Sequence, residues 1–364
     1  MGINEIIVYI MVVFMALGAI DKCIGNKFGL GEKFEEGIMA MGSLAVAMVG
    51  VICLAPVIAN VLKPVVVPVF DMLGADPAMF AGSILANDMG GAPLALELAR
   101  DPQAGLFGGL IVGAMMGPTI VFTIPVALGI INKEDQRFLA TGVLAGVITI
   151  PVGAFVGGLV AGFPVMMVLK NLIPIVIFAA VIALGLWKFE KAMIKGFTVF
   201  GKFVVIVITL GLAAAIIEKL TGIVVIPGMN PLEEGVAIVG DIAIVLAGAF
   251  PLVLVITKVF KKPLMAMGKL LKMNDIAAAG LVASLANSIP MFGMMKDMDE
   301  RGKIINVAFA VSAAFVFGDH LGFTAGFNSE MIFPMIVAKL VGGVSAVLLA
   351  IVIANAMAKK EEAK

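Results

Sequence analysis

The chain has 364 residues, of which 62% are hydrophobic and 14% are charged, and its mean hydropathy is +1.15. A soluble domain is about half apolar and a quarter charged, so this composition indicates an all-α polytopic membrane protein. The net charge of +0, without a basic patch, excludes a nucleic-acid-binding protein, and Cys23 and Cys53 show neither metal-ligand spacing nor a disulfide framework.

Several apolar segments along the chain exceed the roughly 20 residues that a helix needs to cross a bilayer. The first, residues 6–20, lacks a preceding basic segment, which argues against a cleaved signal peptide. Residues 77–100 and 276–303 are each interrupted by a polar kink and predict re-entrant hairpins, which enter the membrane and return to the same side. Examples of segments that predict full spans are residues 37–62, 105–131, 138–165 and 235–259.

The two halves of the chain resemble each other at a nearly constant offset. The stretch "KFEEGIMAMG" at residues 33–42 recurs 198 residues later as "PLEEGVAIVG". Four further matches occur in the same order: Asp21-Lys22 with Glu218-Lys219, Lys63-Pro64 with Lys262-Pro263, "SILANDMGG" from Ser83 with "ASLANSIPM" from Ala283, and Gly117 and Thr123 with Gly318 and Thr324. These ordered matches predict a duplicated unit, which is the usual architecture of secondary transporters.

The basic residues predict how the two copies are oriented. If both kinked segments are hairpins, all assigned Lys and Arg residues except Lys63, Arg100 and Lys219 fall on one face, with Lys170 and Lys339 unassigned. If both segments span the membrane instead, the two faces carry nearly equal numbers of basic residues. The positive-inside tendency therefore favours the hairpins, an inverted second copy, an external N-terminus and a cytoplasmic C-terminus.

The predicted architecture is two inverted repeats of about four spans plus one hairpin each, joined by a linking helix, which makes about 9–11 membrane segments. Residues 1–163 form the first repeat with hairpin 77–100, residues 164–199 form the linking helix and a basic cytoplasmic loop, and residues 200–364 form the second repeat with hairpin 276–303. One hairpin enters from each face, so the two kinks are expected to approach each other near the membrane midplane.

The hairpin kinks, residues 87–91 and 287–290, contain the first candidate binding residues. Their asparagine and serine side chains either cap the broken helices or contact a ligand, and both roles can hold together. Asp88 has an uncharged counterpart, Ser288, so the duplicated fold does not require its charge. A charge at the centre of a membrane helix costs about 2.5–3.5 kcal/mol on insertion scales, so we expect Asp88 to be functional.

Asp319 and the chain's only histidine, His320, stand side by side in the apolar run "FVFGDHLGFTAGFN". Their counterparts, Pro118 and Thr119, are uncharged, so a ligand is the natural reason for their presence. We expect Asp319 to face a cation. His320 is either a neutral imidazole satisfied by the backbone or, with an ordinary pKa of about 6.5, a residue that sets a pH dependence.

A cavity with acids, amides, hydroxyls and aromatic walls favours a small polar cation or zwitterion, because pairing with a ligand ammonium offsets the desolvation of a carboxylate. Phenylalanine rings could add a cation–π wall, with helix packing as the alternative role. Asp241, the counterpart of Ser43, is either a further cavity residue or an interfacial one. The predicted substrate-binding residues are Asp88, Asp319, Asn87, Asn287, Ser288, His320, Thr119, Thr324, Phe317 and Phe323.

Three long motifs carry a family resemblance: "SILANDMGGAPLALELA", "SLANSIPMFGMMKDMDERGK" and "AFVFGDHLGFTAGF". They resemble the signatures of the ethanolamine permease family (EutH), and the resemblance extends over essentially the whole chain. It implies a multi-pass protein of the bacterial cytoplasmic membrane that takes up ethanolamine for catabolism. The implied substrate carries an ammonium and a hydroxyl on two carbons, which agrees with the cavity chemistry expected from the residues.

Other functions on the same scaffold stay open. An ion-coupled transporter of another small polar amine or of a nucleoside would use the same architecture, and so would a channel-like facilitator. An integral membrane enzyme is the least favoured alternative, since the sequence has one histidine, no G-x-S-x-G motif and no Cys/His grouping. We expect no metal or cofactor, leave H⁺ or Na⁺ coupling open, and expect a homodimer.

Overall fold

The computed structural model describes residues 2–362, which form helices and the turns that connect them. Met1, Ala363 and Lys364, which belong to the predicted repeats, lie outside the described residues. In chain order the helices are α1 (Ile3–Cys23), α2 (Leu30–Met72), α3 (Ala78–Ile84), α4 (Gly91–Leu98), α5 (Pro102–Leu106), α6 (Met116–Pro118), α7 (Ile124–Ile130), α8 (Gln136–Val160), α9 (Val165–Thr221), α10 (Leu232–Leu270), α11 (Asp275–Ala286), α12 (Ser288–Met294), α13 (Glu300–Ala313), α14 (Asp319–Phe327) and α15 (Ile332–Glu362).

Within residues 2–362, six helices are long and apolar enough to cross a membrane, and a seventh candidate is the pair Pro102–Ala114 and Met116–Ile130, bent by 40°. This count is lower than the predicted nine full spans. Part of the difference lies in α9, whose 57 residues would extend about 85 Å against a bilayer core of about 30 Å. Non-helical geometry at Phe189 (φ −134°, ψ 41°) divides it into two pieces. The rest lies in α13 and α14, which have 14 and 9 residues and are each too short to cross.

The first predicted hairpin consists of two short helices, α3 and α4, that pack against each other across a break. Leu85 and Ala86 are extended, Asn87–Met89 forms a single 3₁₀ turn, and Gly90 has φ +91°. Glycine adopts this left-handed conformation freely, whereas it costs other L-residues roughly 1–2 kcal/mol. The break therefore presents Asn87 and Asp88 on a turn rather than on a continuous helix.

The second hairpin, made by α11 and α12, has a shorter break than predicted. Only Asn287 is extended (φ −157°, ψ 131°), and residues 288–290 already belong to α12. Pro290 is tolerated there because first-turn N–H groups have no intrahelical partner. The return arm also ends earlier than predicted, since its last turn ends at Asp297 and α13 begins at Glu300.

One aspartate ties the ends of each hairpin together. The Asp76 carboxylate accepts hydrogen bonds from the Arg100 and Asp101 backbone N–H groups at 3.0 and 3.1 Å. The Asp299 carboxylate accepts hydrogen bonds from the Asn274 and Gly302 backbone N–H groups at 2.8 and 3.1 Å. Hydrogen bonds to charged groups contribute about 1.5–3 kcal/mol each, so the two ends of each hairpin are held firmly together.

Gly117 and Gly318 allow the segment that follows each hairpin to lie directly against its break. A Cβ on Gly117 would lie 1.9 Å from the Leu85 carbonyl oxygen, and a Cβ on Gly318 would lie 2.1 Å from the Ala286 carbonyl oxygen. The opposing atoms are backbone, which cannot swing aside as a flexible side chain can. Only glycine permits this contact, and it places the hairpin breaks beside Pro118–Phe122 on one side and Asp319 on the other.

The long helices form two groups around these breaks. The helix α2 packs mainly against α10, with α1 beside both, while α8 packs against α13 and α15. The helix α9 contacts both α2 and α8 and so connects the groups. At the end of the second group a buried ion pair joins Asp135 to Lys303 at 2.6 Å, and an exposed pair joins Arg137 to Glu300 at 2.7 Å.

Candidate functional site

The central cavity is a space of about 260 Å³ between α2, the break of the first hairpin and the two broken segments near Pro118 and Asp319. Asp88, Asp319 and His320 contribute its charged or titratable side chains, and Ser43 contributes a hydroxyl. Two predicted acids and the lone histidine, separated by more than 200 positions along the chain, therefore line one space. The hairpin break and the α14 N-terminus position them there.

Asp319 is the first residue of α14 and lines a second cavity as well. The second cavity, about 250 Å³, lies between the start of α2, the later part of α10 and the break of the second hairpin, and its lining includes Lys33, Glu36, Asn287 and Phe317. Because Asp319 faces both spaces, it stands at the junction between the central cavity and a region that leads to the first turns of α2.

His320 is 3% exposed and contacts a lysine that the sequence analysis left unassigned. Its Nδ1 atom lies 2.9 Å from Nζ of Lys339, which is itself 1% exposed and donates a hydrogen bond to the Ala114 carbonyl. The imidazole also lies against the Phe315 ring, with centroids 5.4 Å apart. Backbone contacts alone therefore do not account for His320, because the buried amine of Lys339 contacts one of its ring nitrogens.

Three predicted polar residues have buried atoms without a hydrogen-bond partner in the part of the chain that the structure describes: both amide atoms of Asn87, Oγ of Ser288 and Oγ1 of Thr324. All three side chains are 0% exposed. Buried polar groups are nearly always hydrogen-bonded, and one left unsatisfied costs about 1–3 kcal/mol. These atoms have donor or acceptor capacity that a bound solute or water can use.

Apart from Asp88, Asp319 and His320, none of the predicted residues lines the central cavity, and several have partners elsewhere. Asn287 is a cap, because its Oδ1 accepts a hydrogen bond from Ile289 N at 2.8 Å. The Thr119 hydroxyl donates to the Met115 carbonyl at 2.8 Å. Phe323 is fully buried and stacks on Phe327 with ring centroids 5.2 Å apart, so it contributes to helix packing.

Sequence reasoning missed four residues around the central cavity. Phe122 and Phe315 line it and meet edge to face with centroids 5.5 Å apart. Phe315 has φ +63°, which is costly for a bulky residue and marks a constrained position next to the site. Ser43 lines the cavity and is exposed, as its counterpart Asp241 is, and the fourth residue is Lys339. Of these four residues, only Lys339 had a sequence signal, because a lysine stands out inside an apolar run.

The chemistry of the central cavity suits a small organic cation. It offers two carboxylates, a histidine and a hydroxyl against largely apolar walls, in a volume below the usual 300–1,000 Å³ of a drug-sized site. Among the side chains that the structure describes, no group of three or more His, Cys, Asp or Glu is placed to hold a metal ion. An ammonium paired with either carboxylate would relieve the desolvation of both charges.

Comparisons with known proteins give a consistent result. The family model described as "Ethanolamine utilisation protein, EutH" matches residues 3–353. The chain is 71% identical to the probable ethanolamine permease EutH of Listeria monocytogenes serotype 1/2a (strain 10403S), over all of this chain and 98% of the relative. It is 54% identical to the probable ethanolamine permease EutH of Escherichia coli (strain K12), over all of this chain and 99% of the relative. It is also 54% identical to the uncharacterized protein YxeR of Bacillus subtilis (strain 168), with similar coverage. No solved structure matches the chain significantly.

Proposed function

Because the chain belongs to the EutH family of ethanolamine utilisation proteins, we propose that it is a permease that takes up ethanolamine across the bacterial cytoplasmic membrane. The family match covers nearly the whole chain, and two full-length relatives are named as probable ethanolamine permeases. The activity is therefore transport rather than catalysis.

The observation that carries the proposal is the pair of carboxylates in the central cavity. Ethanolamine has an ammonium at one end, a hydroxyl at the other and two carbons between them. Asp88 and Asp319 together bind the ammonium, while the Ser43 hydroxyl and the His320 imidazole are available to the other end. The aromatic walls of Phe122 and Phe315 favour the same cation through their ring faces.

The proposed architecture is two inverted repeats, residues 1–163 and 200–364, joined by residues 164–199. The order of elements supports it, because a long helix, a very long helix, a pair of short helices, a broken segment and a long helix occur in α1–α8 and again from the second piece of α9 to α15. The ion pair Lys22–Glu35 has a counterpart in Lys219–Glu233, close to the predicted offset. Nine spans result if α9 crosses twice and α13 with α14 crosses once.

The proposed transport mechanism is alternating access. If no ion is coupled to it, the protein transports ethanolamine by facilitated diffusion. In the proposed orientation the N-terminus is external, and the first turns of α2 lie on the cytoplasmic side. The second cavity then leads from Asp319 toward the cytoplasm. The two hairpin breaks flank this route, where small movements of the short helices could open or close it.

Counterflow in proteoliposomes tests the proposed function. Vesicles preloaded with unlabelled ethanolamine should accumulate labelled ethanolamine transiently, and uridine should neither replace nor inhibit it. Empty vesicles provide the matched control. Flat ethanolamine counterflow by folded protein would refute the proposal, while non-saturable flux without trans-stimulation would favour a channel-like facilitator over alternating access.

A further inference from the structure

Lys339 is a buried lysine whose hydrogen-bond partners are not carboxylates, although the charge of Asp88 acts on it. Its Nζ lies 2.5 Å from the Ala114 carbonyl oxygen and 2.9 Å from His320 Nδ1. Among the described residues, no carboxylate oxygen lies within 4.0 Å of this Nζ. A long charged side chain is rarely buried without an ion-pair partner, so its contact with the histidine calls for an explanation.

The hydrogen-bond inventory of the two side chains assigns the direction of their contact. A carbonyl oxygen only accepts, so one Nζ hydrogen is directed at Ala114. As an ammonium, Lys339 carries three hydrogens and no lone pair, so it can only donate. In that form a second hydrogen is directed at His320 Nδ1, which presents a lone pair, whereas a neutral amine is able to accept from an Nδ1–H.

This assignment also determines whether the other ring nitrogen, Nε2, carries a hydrogen. A neutral imidazole carries one ring hydrogen, and with Nδ1 acting as acceptor that hydrogen is on Nε2. His320 lines the central cavity together with Asp88 and Asp319, and Phe315 supports one face of its ring. In this tautomer Nε2–H is a donor that a solute bound in the central cavity can use.

We propose that Lys339 is a positioning residue that holds His320 in its Nε2–H tautomer, so that the imidazole donates a hydrogen bond to the hydroxyl oxygen of the substrate. This inference rests on the proposed function and adds the basis of its selectivity. The carboxylates bind the ammonium, which every small primary amine carries, and His320 distinguishes amines that have a hydroxyl two carbons away.

The first test uses the wild-type protein. Because His320 is the only histidine, ¹⁵N-histidine labelling gives signals from one imidazole alone. We expect one-bond N–H coupling at Nε2, an unprotonated Nδ1, and a change in the Nε2–H signal when ethanolamine is added. A hydrogen on Nδ1, or hydrogens on both nitrogens, would overturn the inference without any variant having to fold.

The second test compares the affinities for ethanolamine and ethylamine, which differ by the hydroxyl. A donor left unpaired by ethylamine should give the wild-type protein a preference for ethanolamine of about 5- to 150-fold. Lys339→Met removes the hydrogen that holds Nδ1, so the ring hydrogen redistributes and the preference should fall at least about fivefold. Lys339→Gln keeps amide N–H donors and should retain the tautomer and most of the preference.

The exposed lysine Lys170 provides the matched control, and Lys170→Met should behave as the wild-type protein does. An unchanged preference in folded Lys339→Met, or equal loss in Lys339→Gln and Lys339→Met, would overturn the positioning role. Binding of neither amine by wild-type protein whose ring is the Nε2–H tautomer would instead refute the proposed function and, with it, the hydroxyl contact.

Discussion

Gly117→Ala tests whether close backbone packing positions the first hairpin break. The added Cβ would lie 1.9 Å from the Leu85 carbonyl oxygen and 2.2 Å from its carbon. Ordinary contact begins at 3.4 Å, so the two backbones must separate by about 1.5 Å. Asp88 lies three residues beyond Leu85, so this separation should move the carboxylate with the break.

Two opposing effects set the expected magnitude. Alanine favours a helix over glycine by about 1 kcal/mol, whereas overpacking costs about 1–3 kcal/mol and sometimes more. A backbone-to-backbone overlap lies at the upper end of that range, so the net effect is destabilising by about 1–2 kcal/mol. A displaced Asp88 should also weaken ethanolamine binding at least about tenfold, equivalent to about 1.4 kcal/mol.

Denaturant unfolding in detergent and calorimetric binding of ethanolamine measure the two effects. The matched control is Gly129→Ala, since a Cβ at Gly129 meets no atom within 4 Å. This control should keep wild-type affinity and gain up to about 1 kcal/mol of stability. Wild-type stability and affinity in Gly117→Ala would refute the packing argument.

Two further comparisons separate binding from structural roles. Asn287→Ala removes a helix cap and should cost about 1 kcal/mol of unfolding free energy with little effect on the affinity for ethanolamine, whereas Asn87→Ala should lower affinity without destabilising the apo protein. Equal stability losses in both variants, measured by thermal unfolding with and without ethanolamine, would contradict this division. Asp135→Asn leaves a largely buried lysine unpaired and should destabilise by about 3–5 kcal/mol, whereas Glu300→Gln breaks an exposed pair and should cost at most about 1 kcal/mol. Similar denaturation midpoints for these two variants would show that burial does not determine how much each ion pair contributes to stability.

The first hairpin shows how far local sequence determines the fold here. Its break was predictable because glycines follow Asn87 and Asp88 and disrupt helical geometry on their own. The second break was predicted too long, since Pro290 resembles a helix breaker until its position in the first turn of α12 is known. Residues 164–199 were predicted as a linking helix followed by a basic loop, whereas in the structure the basic part is helical and only the kink at Phe189 divides α9.

Within the site, the buried charges were predictable and their partners were not. Asp88, Asp319 and His320 stand out because charge is costly in an apolar run. Lys339 carries the same signal, but neither hydropathy nor the repeat shows which side chain it meets, so its contact with His320 required the fold. Similarly, no local pattern distinguishes the capping Asn287 from Asn87, whose amide lacks a partner among the described residues.

Binding of ethanolamine to Asp88→Asn and Asp319→Asn tests the central claim most directly. Asparagine keeps the size of each side chain and removes its charge, and loss of a buried charge partner costs about 2–5 kcal/mol. Isothermal titration of purified, folded variants should therefore show at least about 30-fold weaker binding in each, with counterflow abolished. Wild-type affinity and counterflow in both variants would contradict the assignment of these carboxylates to the ammonium.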